Sequence, residues 1–406
     1  MNRPPTHAAA EERAGFPDIF LVFLRLGLTS FGGPVAHLAY FREEFVARRR
    51  WLDERAYADL VALCQFLPGP ASSQVGMALG LSRAGIPGAI AAFLGFTLPS
   101  AVLLTLFALG AADAGIGSSG GWLHGLKVVA VAVVAQALWS MGRQMAADKL
   151  RATIAVASAA TMTWMPDAFG QIAAIVGSGL IGWACLRIDT ALPHSALPVP
   201  IGRRTGALLL AGFFLLLLGL PLVAHESGAY AVKLFDGFYR SGALVFGGGH
   251  VVLPLLQSLV VPAGWVSNDA FLAGYGAAQA VPGPLFTFAA YLGAIASRSP
   301  SGWTGAAIAV LAIFLPGFLL VTGTMPFWES LRRHAGIQRA MLGINAAVVG
   351  LLLAAFYHPV WTSAIRAPAD FCGAAIAYLL LVFWKWPPWL VVLLAAVLSG
   401  LSAAAT

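Results

Sequence analysis

Charged side chains are scarce in this sequence. Asp, Glu, Lys and Arg make up 10% of its 406 residues, where an ordinary soluble domain carries about 25%. That scarcity excludes a water-solvated surface over most of the chain. Cysteine is scarcer still: Cys64, Cys185 and Cys372 share no metal-type spacing, which excludes a zinc site and a disulfide framework. They read as small apolar structural residues. Carboxylates avoid the apolar stretches; Asp18, Asp59 and Asp236 sit near segment ends, where they face solvent or pair with arginines. This argues against a carboxylate-based proton antiporter. No nucleophile elbow, P-loop, dinucleotide fingerprint or His-rich metal cluster is present, so the sequence offers no catalytic residue, no metal site and no cofactor. Residues 1–15 are polar, without a basic-then-apolar leader, and read as a tail and not as a cleaved signal.

Apolar runs are what the chain has in abundance, with 59% hydrophobic residues. Ile86 to Leu109, Thr205 to Val223 and Pro387 to Leu401 each have the roughly 20-residue reach of a membrane-crossing helix. Further spans read from Trp122 to Met141, Thr153 to Met165, Phe169 to Leu186, Trp303 to Met325, Ile337 to Tyr357 and Phe371 to Trp384. A polytopic, all-α protein of the cell (inner) membrane is therefore expected. Its net charge of +7 is dispersed in the connections, with no interleaved aromatic pattern, so nucleic acid is not a partner. The lipid bilayer is, and the basic residues orient the chain in it.

Two stretches are near copies. The first runs Phe23-Leu24-Arg25-Leu26-Gly27, Phe31-Gly32-Gly33-Pro34, Trp51 and Gln65-Phe66-Leu67-Pro68-Gly69-Pro70. The second runs Phe238-Tyr239-Arg240-Ser241-Gly242, Phe246-Gly247-Gly248-Gly249, Trp265 and Gln279-Ala280-Val281-Pro282-Gly283-Pro284. Leu98-Pro99 and Leu315-Pro316 extend the correspondence. The chain divides into a tail (1–15), a first membrane repeat (16–190), a linker with one extra span (191–230) and a second membrane repeat (231–406).

Glycine costs about 1 kcal/mol and proline about 3 inside a helix, so helices break at Phe-Gly-Gly and at Pro-Gly-Pro. In hydrocarbon a broken backbone survives only when buried in protein or lining a polar cavity. Paired breaks in two halves point to a transporter's substrate site. If the motif segments of each half enter and leave on one face, Arg42 to Arg55, Arg83, Arg143 to Arg151, Arg187 to Arg204, Arg332, Arg333, Arg339 and Lys385 share one side. The other keeps chiefly Lys233, Arg298 and Arg366. That arrangement satisfies the positive-inside rule and makes the motif segments re-entrant hairpins in two inverted repeats.

Arg25 and Arg240 each place a charge within an apolar segment, at a cost of a few kcal/mol. A guanidinium fork suits a tetrahedral oxyanion, though snorkelling or capping of backbone carbonyls would also account for either arginine. Gly32, Gly33, Gly247, Gly248 and Gly249 leave backbone N–H groups open, and half-helices starting there favour an anion. Gln65 and Gln279 precede Pro68, Gly69, Pro70 and Pro282, Gly283, Pro284 at equal spacing. Ser72 and Ser73 follow the first Pro-Gly-Pro, with Gln74, while Leu285, Phe286 and Thr287 follow the second. The serines either contact solute or bond back to helix carbonyls. His37 and His250 lie near their glycine runs without aligning; each is a proton-relay candidate or a satisfied core histidine.

At these motifs the sequence resembles the chromate ion transporter family in its long, duplicated form. The resemblance rests on Phe31 to Pro34 with His37, on Trp51 and Gln65 to Gln74, and on Phe246 to Gly249 with Gln279 to Pro284. It implies export of chromate from the cytoplasm, conferring chromate resistance, with sulfate as a related oxyanion. The expected mechanism is alternating access around one site between inverted repeats, with Arg25 and Arg240 as donors. Partners are then chromate, sulfate and lipid, with a second copy as the candidate assembly partner in a homodimer. Rival readings are an inward sulfate permease, a membrane-embedded enzyme on phosphorylated lipid, and a lipid-moving protein sharing the same hairpins.

Overall fold

The computed structural model describes residues 15–113, 121–165, 168–187, 200–246, 251–328 and 334–404. All regular structure among them is helical, and five helices are long and apolar enough to cross a membrane. The chain is an all-α polytopic membrane protein.

The first motif region folds as two helical hairpins. Helix α1 (Phe16–Thr29) turns at Phe31-Gly32 into α2 (Gly33–Arg42). The two run antiparallel, since Phe23 of α1 stacks on Phe45 just beyond α2, with ring centroids 5.1 Å apart, and meets Phe41 edge-on at 5.7 Å. Trp51 then packs on Phe45. Helix α3 (Glu54–Phe66) is capped by Asp53, whose carboxylate accepts from the Ala56 N–H at 2.7 Å. Such a cap satisfies one of the otherwise orphaned first-turn donors. The chain breaks at Pro68-Gly69-Pro70 and resumes as α4 (Ala71–Asp113). Its first arm returns to where α3 began, because the Arg83 guanidinium lies over the Trp51 ring at 5.5 Å. Helix α4 then folds back on itself at Ala84-Gly85, whose backbone leaves the helical region. Gly80 and Gly88 face each other so closely across this fold that a methyl on either would collide with the other's carbonyl.

The second motif region repeats this plan. Helix α9 (Tyr230–Ala243) is antiparallel to α10 (Val252–Val260), with Gly237 against Leu259. Helix α11 (Asn268–Ala278), capped by Ser267, turns at Pro282-Gly283-Pro284 into a short 3-10 turn and α12 (Phe288–Ala294). The Tyr291 hydroxyl donates back to the Ala270 carbonyl at 3.0 Å, and the Ser297 N–H to the Trp265 carbonyl at 2.9 Å. Asp53 and Ser267 each stand two residues after the motif tryptophan, so the caps as well as the breaks are duplicated. Gly293 and Gly305 close the fold into α13 (Gly302–Thr324) as Gly80 and Gly88 do in α4.

The remaining helices frame these hairpins. They are α5 (Gly121–Met145), α6 (Lys149–Trp164), α7 (Ala168–Cys185), α8 (Arg203–Ser227), α14 (Ala335–Ala355), α15 (Pro368–Val382) and α16 (Pro388–Ala404). Every span expected from the sequence is occupied by one of these helices, by α13 or by the second arm of α4. Helices α6 and α7 pack on α14, and α16 on α5. Exposed leucines and phenylalanines along α8, such as Leu208 at 73% and Leu215 at 74%, form the kind of apolar surface that lipid covers. Cys64 is buried, whereas Cys185 and Cys372 are exposed. Cys185 and Cys372 occupy outward positions on α7 and α15. The 1–14 tail, Arg332, Arg333 and the Pro166-Asp167 turn lie outside the described residues.

Candidate functional site

The tips of the hairpins interlock across the two halves. The Gly69 N–H, in the first Pro-Gly-Pro, donates to the Val245 carbonyl at 2.7 Å. The Gly283 N–H, in the second, donates to the Ser30 carbonyl at 2.9 Å. Ser30 and Val245 are the residues immediately before Phe31-Gly32 and Phe246-Gly247, so each Pro-Gly-Pro tip binds the residue that precedes the other half's Phe-Gly motif. Both donors sit in left-handed backbone, with φ of +124° at Gly69 and +97° at Gly283, which only glycine adopts at low cost.

Beside this interlock lies a cleft of about 440 Å³. It brings together Gly32, Gly33, Gln65, Gly69, Gln279 and Gly283 from the motifs. Helix α2 begins at Gly33, with Gly32 as an N-cap that supplies no side-chain hydrogen bond, and α4 begins at Ala71 on the cleft wall. Helix N-termini carry about half a positive charge and leave their first N–H groups open. The Gln279 side-chain nitrogen is buried without a hydrogen-bond partner. Pro68, Pro70, Ser72, Ser73, Pro282 and Pro284 shape the tips but do not line the cleft. Gly247, Gly248, Gly249 and His250 lie outside the described residues.

The cleft also contains residues that the motifs did not flag: Gln136, Ser140 and Gln144 of α5 and Asn345 of α14. The available signal was a polar stripe at i, i+4 and i+8 in an otherwise apolar run, which places all three on one helix face. Gln136 is half-buried while Ser140 and Gln144 are exposed. The cleft therefore opens toward the C-terminal end of α5, beside Arg143.

Arg25 and Arg240, expected as donors, do not line this cleft. No charged side chain appears among the described residues lining the cleft. Helix α1 buries Ile19, Val22, Phe23 and Leu26, and that spacing turns Arg25 outward with the exposed Leu21 and Leu28. Arg240 holds Asp236 one turn earlier, through Nε at 2.9 Å and Nη2 at 2.5 Å. The Asp236 side chain is 5% exposed and that of Arg240 is 41% exposed, so the arginine neutralises a buried carboxylate. Arg240→Gln is expected to lower stability by about 2 kcal/mol, the partial exposure of Arg240 tempering the cost of stranding a buried charge. The check is the thermal unfolding midpoint in detergent, which Asp236→Asn added to Arg240→Gln should restore. His37 is fully buried, with Nδ1 3.3 Å from the Ser72 hydroxyl and its ring edge-on to Phe96. It supports the interlock from behind and does not line the cleft.

The chromate transporter family model matches residues 17–183 and 232–401, two segments that each contain one pair of motif hairpins. A chromate transport protein of Pseudomonas aeruginosa is 28% identical over 404 residues, covering 97% of this chain and 94% of that one. A chromate transport protein of Cupriavidus metallidurans is 25% identical over 387 residues, covering 91% and 88%. An uncharacterized transporter of Methanocaldococcus jannaschii is 27% identical over 394 residues, covering 95% and 94%. No solved structure matches.

Proposed function

The chain belongs to the chromate transporter family, and from that premise we propose that it exports chromate from the cytoplasm through the cleft between the hairpin tips. Chromate is a tetrahedral dianion that only accepts hydrogen bonds. The reading is carried by one observation: Gly32 and Gly33, the N-termini of α2 and α4, Gln65 and Gln279 meet at a cleft whose described lining holds no carboxylate. Neutral donors suffice when several converge, since hydrogen bonds to a charged group contribute about 1.5–3 kcal/mol each. Leaving a dianion unpaired in a dry site would cost far more.

The position of the cleft's mouth supports the outward direction. Arg143 stands beside it, and the two first-half hairpins have their open ends where Arg42 pairs with Glu54 and where Arg49 and Arg83 flank Trp51. By the positive-inside rule this end is cytoplasmic, and the membrane is the cell (inner) membrane. The two halves are inverted repeats, and the solute passes by alternating access as the interlocked tips exchange which side they seal. A potential of 100 mV, negative inside, drives two negative charges outward by about 4.6 kcal/mol. Sulfate, of the same shape and charge, competes.

The test is radiolabelled chromate flux in proteoliposomes under an imposed potential. Flux toward the positive side should rise steeply with potential and fall when sulfate is added on the loading side. A flux that ignores both potential and sulfate would contradict the reading.

A further inference from the structure

On the far side of the interlock from the cleft's mouth, α5 carries a buried cation that plays no part in the cleft. The Lys127 ammonium is 2.9 Å from Oδ1 of Asp269, and its side chain is only 3% exposed. Arg366 approaches the same oxygen at 3.9 Å. One carboxylate thus faces two cations. Nearby, the His124 ring meets the Asp370 carboxylate at 2.7 Å, and Asp370 also accepts from the backbone N–H groups of Arg366 and Ala367, at 2.9 Å each. That second cluster fixes the Arg366 backbone against the start of α5.

Two of the helices so joined, α5 and α11, border the cleft. Helix α5 supplies Gln136, Ser140 and Gln144, and α11 ends at Ala278, next to Gln279. Asp269 lies in the first turn of α11, at the opposite end of that helix from the cleft. Leu126 of α5 packs directly on Gly276. Any movement of the α11 hairpin that opens the far side separates Asp269 from Lys127. A buried lysine stripped of the Asp269 carboxylate needs another anion, because an unpaired buried charge costs several kcal/mol.

Resting on the export reading above, we propose that Lys127 and Arg366 form a second oxyanion station on the exit path, masked in this conformation by the Asp269 carboxylate. Asp269 holds the exit shut while the cleft faces the cytoplasm. When α11 moves, the dianion replaces the carboxylate between the two cations and leaves from there. A structural ion pair and this station differ in one respect. A purely structural pair suffers most when Asp269 is removed, because that strands the buried Lys127 while Asp269 is 35% exposed and keeps Arg366, whereas the station needs its cation and not its carboxylate.

The experiment uses the full chain with Cys64, Cys185 and Cys372 replaced and Ser140→Cys as a reporter in the cleft, in oriented vesicles. Labelling by a membrane-impermeant maleimide from the exit side should be negligible in the parent. It should rise about tenfold in both Lys127→Gln and Asp269→Asn, corresponding to about 1.4 kcal/mol of lost closure. Chromate flux should then separate the two variants. It should fall about tenfold in Lys127→Gln and stay within about twofold in Asp269→Asn. The charge-swapped pair Lys127→Asp with Asp269→Lys should restore protection of the reporter. Unchanged labelling in both variants, or equal loss of flux in both, would overturn the proposal. A parent that moves no chromate yet shows the labelling pattern would strike the export reading and leave the exit closure standing.

Discussion

Gly283→Ala is expected to reduce chromate flux by about two orders of magnitude, a loss of roughly 3 kcal/mol in the population of the interlocked state. Two costs add at this residue. Its φ of +97° places an L side chain in backbone that costs about 1–2 kcal/mol. The new Cβ would also stand 2.9 Å from the Ser100 hydroxyl and 3.3 Å from the Phe96 carbonyl. The hydroxyl can rotate or be removed, but the carbonyl belongs to α4 and cannot retreat without displacing the second arm of that helix. Ser100→Ala added to Gly283→Ala should therefore recover part of the flux and not all of it. The equivalent change in the other half, Gly69→Ala, meets the Gln74 amide at 3.0 Å and the Gly317 Cα at 3.2 Å, with φ at +124°. It should be at least as damaging, since its neighbour Gly317 is backbone. Flux in proteoliposomes and the thermal midpoint in detergent check both, and on the proposed reading flux should fall further than stability because the site lies at the tips.

The second large effect is expected from the paired glutamines. Gln65 closes α3 just before the first Pro-Gly-Pro and Gln279 closes α11 just before the second, and both line the cleft. Replacing either by Leu keeps its bulk and removes its amide donor. A hydrogen bond to a charged solute contributes about 1.5–3 kcal/mol, so each change should weaken chromate binding by about 10-fold to 100-fold. If the two tips hold one solute, the double variant should lose more than either single one, by about 100-fold to 10,000-fold in all. Two independent sites would instead leave each single variant with one site of parental affinity, so that only the double variant would show the loss in full. Radiolabelled chromate flux at limiting concentration measures this.

Much of the fold was legible because hydrocarbon allows few alternatives. Gly32, Pro68, Gly69, Pro282 and Gly283 cannot continue a helix at low cost, and the structure breaks at each place. Trp51 with Asp53 and Trp265 with Ser267 mark where α3 and α11 begin, since side-chain oxygens there cap the first turns. The spacing of the two copies also pointed to a shared site, and the interlock of Gly69 with Val245 and Gly283 with Ser30 is the contact that joins the motifs.

The arginines stand apart from the cleft for an equally physical reason. Equal positions in two copies do not give equal surroundings, because α9 presents Asp236 one turn before Arg240, whereas the corresponding residue in α1 is the apolar Leu21. A charge that looks like a ligand for solute in the sequence is, at Arg240, a ligand for the protein's own carboxylate. The α5 stripe escaped notice because Gln136, Ser140 and Gln144 lie in no motif and have no counterpart in a copy. Lys127 escaped for the same reason; only the fold shows that it meets Asp269, which stands far away along the chain.

The central claim is that neutral donors at the crossing of two hairpin tips hold the oxyanion, and equilibrium binding tests it most directly. Radiolabelled chromate binding to the purified full chain in detergent, at fixed ionic strength, should be saturable and displaced by sulfate. The double change Gln65→Leu with Gln279→Leu should weaken it by at least about 100-fold, while Arg25→Gln should leave it within about twofold. Binding that survives loss of both glutamines and vanishes with Arg25 would contradict the account.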